Sequence, residues 1–593
     1  MRGIKTLTLN GIKGKYSGVP AIHRNQYTSL KYSFNSKSNP KFNSNNNSFR
    51  YTAPLLLITL LGVGLVYNNN NKIQLETSNE ITVNEEKRIN LLTLTEEEGY
   101  KLQNQQVENS RQYPGVFIWG SNEYGLVDPL EAKEKVNKFA KKLDCFENML
   151  FRDVSLDKTH AAAIDSNGDL YQWGYGYFGG EVKKLPEISL KGKDLIKVDT
   201  TEDKVITLTK SGELLVLEAL KEKQTQDNNN NNSWSSYFTT QNKIAFKKIK
   251  ISDLAWGEKI IDFSSGKHHV LFYTNKNRLF SMACDNKGNS YGQLGTDNED
   301  NNNNSINNEY KINSIQLSNE TNVIDKVVCG DYHNIIKTKD NRIYSFGSNS
   351  YGQLSIGGLK ATNKLSSLPL EITNIIAPSN YTYKNNVIDI YAGGDTSIFI
   401  VNQKMINNNN NNNNSNENSN NNNETIAMYT TGFGQWGQLG NGKFIQASGT
   451  PCKVIALSDK VEYSEKFNKL QPMTFLNISL SSTHGFAVYN NETGTEFGNS
   501  VYTWGKNQDY QCNTSKKNSI ATPIPPIIPF YNTNDIMKLN ETNLALLVKT
   551  KMLLAPSKKV IVNNKNNGFK QFIFYQQIEA GEATSILYSK VKI

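Results

Sequence analysis

Four histidines, His160, His269, His333 and His484, are the side chains in this chain best suited to proton transfer or metal ligation. Five cysteines, Cys145, Cys284, Cys329, Cys452 and Cys512, are the candidates for nucleophilic or soft-metal chemistry. Each chemistry needs partners at a fixed spacing. The cysteines form no CxxC pair, and their odd number argues against a fully paired disulfide framework. The chain has no G-x-x-x-x-G-K-[ST] phosphate loop, no H-E-x-x-H zinc helix and no G-x-S-x-G elbow. No catalytic group, metal or cofactor is therefore expected. The glycine pairs, Gly434–Gly437 among them, read as turns.

What the histidines do share is phase. "DKVVCGDYHNIIKTKDNRIYSFG" (Asp325–Gly347) aligns with "IDFSSGKHHVLFYTNKNRLFSMA" (Ile261–Ala283), and the stretches around His160 and His484 follow suit. Degenerate copies place Lys204, Thr396, Asn543 and Thr584 at the same position. Downstream, Trp119, Trp173, Phe346 and Trp504 occupy one phase, each followed by glycine: Gly120, Gly174, Gly347 and Gly505. Trp436 instead takes the Tyr351 position of the next turn. A ligand set rarely recurs at the period of a fold, so these residues read as structural. Cys329 and Cys512 also fall at repeat positions and read as buried free thiols.

The elements that carry this pattern are short strands, each copy reading strand, turn, strand, Asn-Gly or Asp-Asn turn, strand, glycine loop. That is a β-propeller blade, a small antiparallel sheet repeated around an axis. Trp is expected to pack between blades, His to reach the neighbouring blade's backbone, and the glycines to supply positive φ. Eight phased starts, two of them degenerate, leave the count at seven or eight. "IEAGEATSILYSKV" (Ile578–Val591) has the early strands of a unit and "GVFIWGSNEYG" (Gly115–Gly125) the later one, so the two ends are expected to share a blade. "DPLEAKEKVNKFAKKLDCFENML" (Asp128–Leu150) reads as a helix-rich insertion. The runs Asn228–Asn232, Asn301–Asn304 and Asn407–Asn414 read as disordered insertions.

The formal charge of +10 is local. Residues 1–75 hold ten of the 65 Lys and Arg and no acid, so the rest carries 55 of each sign. A body with no basic excess is a poor nucleic-acid binder, and none is expected. Residues 1–50, basic and acid-free, match a mitochondrial transit peptide. "YTAPLLLITLLGVGLVY" (Tyr51–Tyr67) is uncharged and expected to be a single transmembrane helix of the inner membrane. The positive excess before it favours the body in the intermembrane space. Residues 68–112 read as a linker, a short amphipathic helix or a stalk, and 113–593 as the propeller.

With its "SYGQLG"-type loops after "G-x-x-H … Y-x-W-G", the chain resembles the regulator-of-chromosome-condensation repeat family over about residues 113–593. The resemblance implies an all-β, typically seven-bladed propeller without enzyme activity, acting as exchange factor, adaptor or scaffold. The presequence, the apolar span and "PGVFIWGSNEYGLVDP" (Pro114–Pro129) are most similar to its mitochondrial inner-membrane branch, which implies protein partners in the assembly or maintenance of respiratory complex III. The alternatives are a guanine-nucleotide exchange factor for a mitochondrial GTPase and a mitochondrial ribosome or RNA maturation factor. No insertion of the kind that would wedge nucleotide from a GTPase stands out. The photoreceptor branch does not fit, because Trp119, Trp173 and Trp504 sit in the structural phase.

Overall fold

The computed structural model describes residues 65–67, 73–75, 97, 99–131, 135–224, 244–296, 309–318, 323–357, 364–379, 383–406, 424–491, 498–530, 550–564 and 568–592. It divides into two compact units, 1–86 and 87–593. In the first, Leu65–Tyr67 and Ile73–Leu75 form a two-stranded antiparallel pair. The expected transmembrane helix Tyr51–Tyr67 otherwise falls outside the described residues, and it does not run to Tyr67, whose last three residues are a strand. Among the described residues no helix is long and apolar enough to cross a membrane. The transit-peptide segment, the three asparagine runs and Asn543 also lie outside them.

The second unit is an all-β propeller. Four sheets have four antiparallel strands each, starting at Leu195, Ile260, Ile324 and Tyr383. A fifth adds the short strand Leu553–Leu554 to the four that begin at Thr474–Leu480. In the nine-stranded sixth, Gly568–Ala580, Thr584–Val591, Val116–Ser121 and Val136–Lys142 pair antiparallel in that order. A parallel contact of Lys590 with Phe151 joins them to Phe151–Leu156, Ala161–Asp165, Leu170–Trp173 and Glu187–Leu190.

Position in the sheet explains the sequence pattern. The second strands are covered on both faces, so Lys204–Thr209, His269–Thr274 and His333–Thr338 are buried throughout and read as continuous β-branched and aromatic runs. The phased residue opens or directly precedes this strand in every described copy: His160, Lys204, His269, His333, Thr396, His484 and Thr584. The core lies between neighbouring sheets. Leu271 and Tyr273 of one pack with Ile336, Tyr344 and Phe346 of the next.

All the described inner strands except Gly568–Ala580 share a bulge. Register skips one residue at Phe151/Asp153, Leu195/Lys197, Ile260/Asp262, Ile324/Lys326, Val387/Asp389 and Phe475/Asn477. A bulge re-aims the following side chain. Here the re-aimed residues are almost all charged.

One expectation needs correction. Asp128–Leu150 is not helix-rich: Val136–Lys142 is a strand, pairing Phe117 with Lys142 and Gly120 with Asn137, and only Asp144–Phe146 makes a single 3-10 turn. Its lysines suit a helix, but Asn137 and Phe139 alternate inward, and Phe139 meets Phe530 edge-on at 5.3 Å. Of the alternatives left open for the segment before the propeller, residues 99–112 take the helix, seated on the propeller. Gln106 donates to the Leu553 carbonyl (2.9 Å) and accepts from the Leu553 amide (3.2 Å), so a side-chain amide covers the edge of that short strand.

Candidate functional site

The phased residues build joints between sheets. His269 Nε2 meets Asn334 Oδ1 at 2.9 Å, His333 Nε2 meets Ser397 Oγ at 2.9 Å, and His484 Nε2 meets Ser585 Oγ at 2.6 Å. The contact goes to a side chain one residue past the next phased position, whereas the sequence pointed to the backbone. Each partner then donates back to a loop carbonyl of the first sheet. Asn334 reaches Gln293 O (2.8 Å), Ser397 reaches Gln353 O (2.7 Å) and Ser585 reaches Gln511 O (2.8 Å). His160 has Thr159 Oγ1 at 3.3 Å and Asp157 at 3.5 Å instead. Burial depresses the pKa of all four, His160 and His269 to about 4 and His333 and His484 to about 3, so the rings are neutral at pH 7.

The tryptophans reach loop carbonyls of the same kind. Trp119 Nε1 donates to Gln511 O (2.8 Å), Trp173 to Leu126 O (3.1 Å) and Trp504 to Gln438 O (2.7 Å). Phe346 has no such donor, and Asn334 already serves the loop it packs against. Trp436 is half-buried; its amide donates to Gln438 Oε1 (2.9 Å), as Tyr351's does to Gln353 (2.9 Å). Gly120, Gly174, Gly347 and Gly505 have φ between +100° and +109°. A Cβ at Gly347 would stand 2.5 Å from the Tyr332 carbonyl, so only glycine fits. Apart from Trp436, these tryptophan, Phe346 and glycine positions are buried.

The chemistry lies on the axis. The turns that end the inner strands converge on a cavity of about 240 Å³, whose rim includes Asp157, Lys267, Asp331 and Glu582. Asp395 stands just behind it, accepting from Gln353 Nε2 at 2.9 Å. Lys267 is 3.1 Å from Asp331, so one cation faces several acids. Burial, helped by the charge of Glu582, raises Asp157 to about 7. Burial and then Asp331 raise Asp395 to about 6. Asp199, half-buried in the same lining, is also raised to about 6.

Beneath the rim bulged residues pair across sheets, Lys197 with Asp262 (2.7 Å) and Lys326 with Asp389 (2.7 Å), while bulged Asp153 bonds Lys590 of the second strand Thr584–Val591 (3.0 Å). Sequence reading missed these and the rim. The signal was present, since Asp331 and Glu582 stand two residues before a phased position and Asp157 three. Among the described residues no three His, Cys, Asp or Glu converge to hold a metal. Cys284, Cys329 and Cys512 are buried free thiols, while Cys145 and Cys452 are half-buried. A concave, acidic mouth can hold cationic side chains by charge-assisted hydrogen bonds.

Two features project at the opposite end, where the inner strands begin. A hairpin, Val461–Ser464 with Lys469–Pro472, stands between two sheets, and Lys558–Asn564 pairs with Gly568–Phe574. Neither was legible as an insertion.

Comparisons with known proteins agree with this architecture. Residues 324–353 match the model of the Regulator of chromosome condensation (RCC1) repeat. "Protein FMP25, mitochondrial" of Saccharomyces cerevisiae is 24% identical over 481 residues, 77% of this chain and 72% of that protein. The ultraviolet-B receptor UVR8 of Arabidopsis thaliana is 23% identical over 255 residues, 41% of this chain and about half (51%) of its own length. Yeast RCC1 (Prp20), solved bound to Kap60, superimposes with a TM-score of 0.50 at 15% identity, over 81% of this chain and 90% of its own. The fold is thus an all-β propeller of regulator-of-chromosome-condensation type.

Proposed function

We propose, from a propeller that carries the regulator-of-chromosome-condensation repeat, that this chain is a non-enzymatic mitochondrial binding protein. It is tethered to the inner membrane through the apolar stretch N-terminal to the strand Leu65–Tyr67, and supports assembly or maintenance of respiratory complex III. Its seven four-stranded units form a ring closed by the pairing of Val116–Ser121 with Thr584–Val591. The observation that carries the binding role is the axial mouth. Asp157, Asp331 and Glu582 around a single lysine suit a Lys- or Arg-bearing segment of a protein partner. The mitochondrial setting draws on the likeness to FMP25 and on the acid-free N-terminus.

Deleting the gene and resolving respiratory complexes on native gels tests this. Complex III falls in the deletion, and recovers with the wild-type chain but not with Asp331→Lys/Glu582→Lys. Normal complex III in the deletion sinks the reading. The projecting hairpin Val461–Pro472 favours a second reading, exchange on a mitochondrial GTPase. Unchanged nucleotide release from candidate GTPases mixed with the full chain removes it.

A further inference from the structure

The residue two positions before each phased residue lies in the turn that closes an inner strand at the mouth. Repeat phase therefore sets Lys158, Glu202, Lys267, Asp331, Gly394, Ser482 and Glu582 at one level. Two of them turn away from the cavity. Lys158 Nζ stands 5.8 Å from the ring centre of Tyr124, and Glu202 is 3.3 Å from Nε2 of His268. Gly394 and Ser482 line the cavity and carry no charge. Lys267, Asp331 and Glu582 are the charged members that remain on it, with Asp157 beside them.

Lys267 is the one cation among the residues that line these 240 Å³. Its ammonium is 3.1 Å from Asp331 Oδ2. Glu582 accepts from Thr483 Oγ1 only through its backbone carbonyl, and among the described residues its carboxylate has no hydrogen bond or ion pair. The acids thus already hold an ammonium, supplied by the chain itself, and keep one carboxylate unserved. The main chain of the Lys267 turn is pinned. Its amide donates to Asp331 O at 3.1 Å, and the Gly266 amide donates to His269 O at 2.9 Å. The side chain is not pinned, being 32% exposed on a flexible four-carbon stem. Two ammonium groups in so small a cavity repel, so an incoming cation and Lys267 exclude one another.

We propose that Lys267 is a tethered stand-in for the partner's cationic side chain, occupying the mouth until that side chain displaces it from Asp331. This rests on the cation-binding role proposed above and adds selectivity to it. A tethered lysine competes at high effective concentration, so a lone cation from solution enters poorly. A segment whose cation arrives with further contacts to the rim enters. Lys267 then swings to solvent, and the partner's cation lies between Asp331 and Glu582.

A capped, dansyl-labelled Gly-Ser-Gly-Arg-Gly-Ser-Gly peptide is titrated by anisotropy against the full chain in non-ionic detergent at low salt. Lys267→Met is expected to bind it roughly tenfold more tightly than wild type, through loss of a close competing charge. Lys158→Met removes the same charge from the same level without emptying Asp331, and is expected to stay within about twofold of wild type. An unchanged melting temperature verifies that Lys267→Met is folded. In wild type, saturating peptide should also speed acylation of Lys267 by an N-hydroxysuccinimide ester, read by mass spectrometry. Equal affinity in wild type and Lys267→Met overturns the stand-in and leaves the mouth a cation site. So do equal gains in the two variants, or unchanged acylation of Lys267 with peptide bound. Failure of Lys267→Met to bind the peptide overturns both, as does equal binding of a peptide with Gln in place of Arg.

Discussion

At the scale of single residues, each joint asks for a donor to a loop carbonyl, and several residue types satisfy it. Ser397 both receives His333 and donates to Gln353 O. Ser397→Ala therefore orphans two buried groups, at about 1–3 kcal/mol each, and is expected to lower the urea midpoint by about 2–4 kcal/mol of stability. Phe346 carries no donor, and at its loop Asn334 serves Gln293 O. Acidity gives a second test. The buried histidines, depressed to about 3–4, are neutral when folded and take up protons on unfolding, so their contribution is lost as pH falls below their unfolded value. Asp395, raised to about 6, does the reverse: folded, it holds a proton that the unfolded chain releases between its unfolded value and pH 6. Asp395→Asn removes that opposing term. Its stability should rise with pH more steeply than wild type, by about 1.4 kcal/mol per unit near pH 5, in urea titrations across that range. Equal slopes would show that Asp395 ionises normally.

At the scale of elements, the repeat was legible because its residues have no freedom. Gly347 has φ +108° and a carbonyl where a Cβ would stand, so the letter recurs and the strand before it can be placed. The second strands were legible for a similar reason, being apolar throughout. Val136–Lys142 was not, because an outer strand with one wet face tolerates lysines that also suit a helix. The axial ion pairs escaped for a different reason: Lys197 and Asp262 lie on different sheets, and only the bulges bring them together. Helix 99–112 was left open because its partner, Leu553–Leu554, is 447 positions away along the chain. Gln106→Ala is expected to loosen that contact by about 1–2 kcal/mol. Hydrogen exchange would show it as faster exchange at Leu553 with Leu271 unchanged, and equal protection in both proteins would mean that other contacts, Gln103 on the Lys551 carbonyl among them, hold the helix.

At the scale of the whole molecule, stability is shared around an array in which each sheet buries its faces on its neighbours. Removing Thr584–Ile593 takes away the partner of Val116–Ser121 and should abolish a single cooperative melt. Shortening the run Asn407–Asn414, which joins strands already paired at Lys404 and Glu424, should leave the melting temperature within a few degrees. Calorimetry distinguishes the two, and a C-terminal truncation that melts normally would mean the array needs no such seam. The same pairing sets an order of events. Gly115 bonds Ser589 across 474 positions, so the earliest strand of the propeller, paired on one edge with Val136–Lys142, waits on its other edge for the latest to emerge. A chain threaded into an organelle from its N-terminus would complete that sheet only as its final residues cleared the translocase. Until then Val116–Ser121 offers an open edge to chaperones, and a product of a truncated message is marked for removal by the strand it cannot pair.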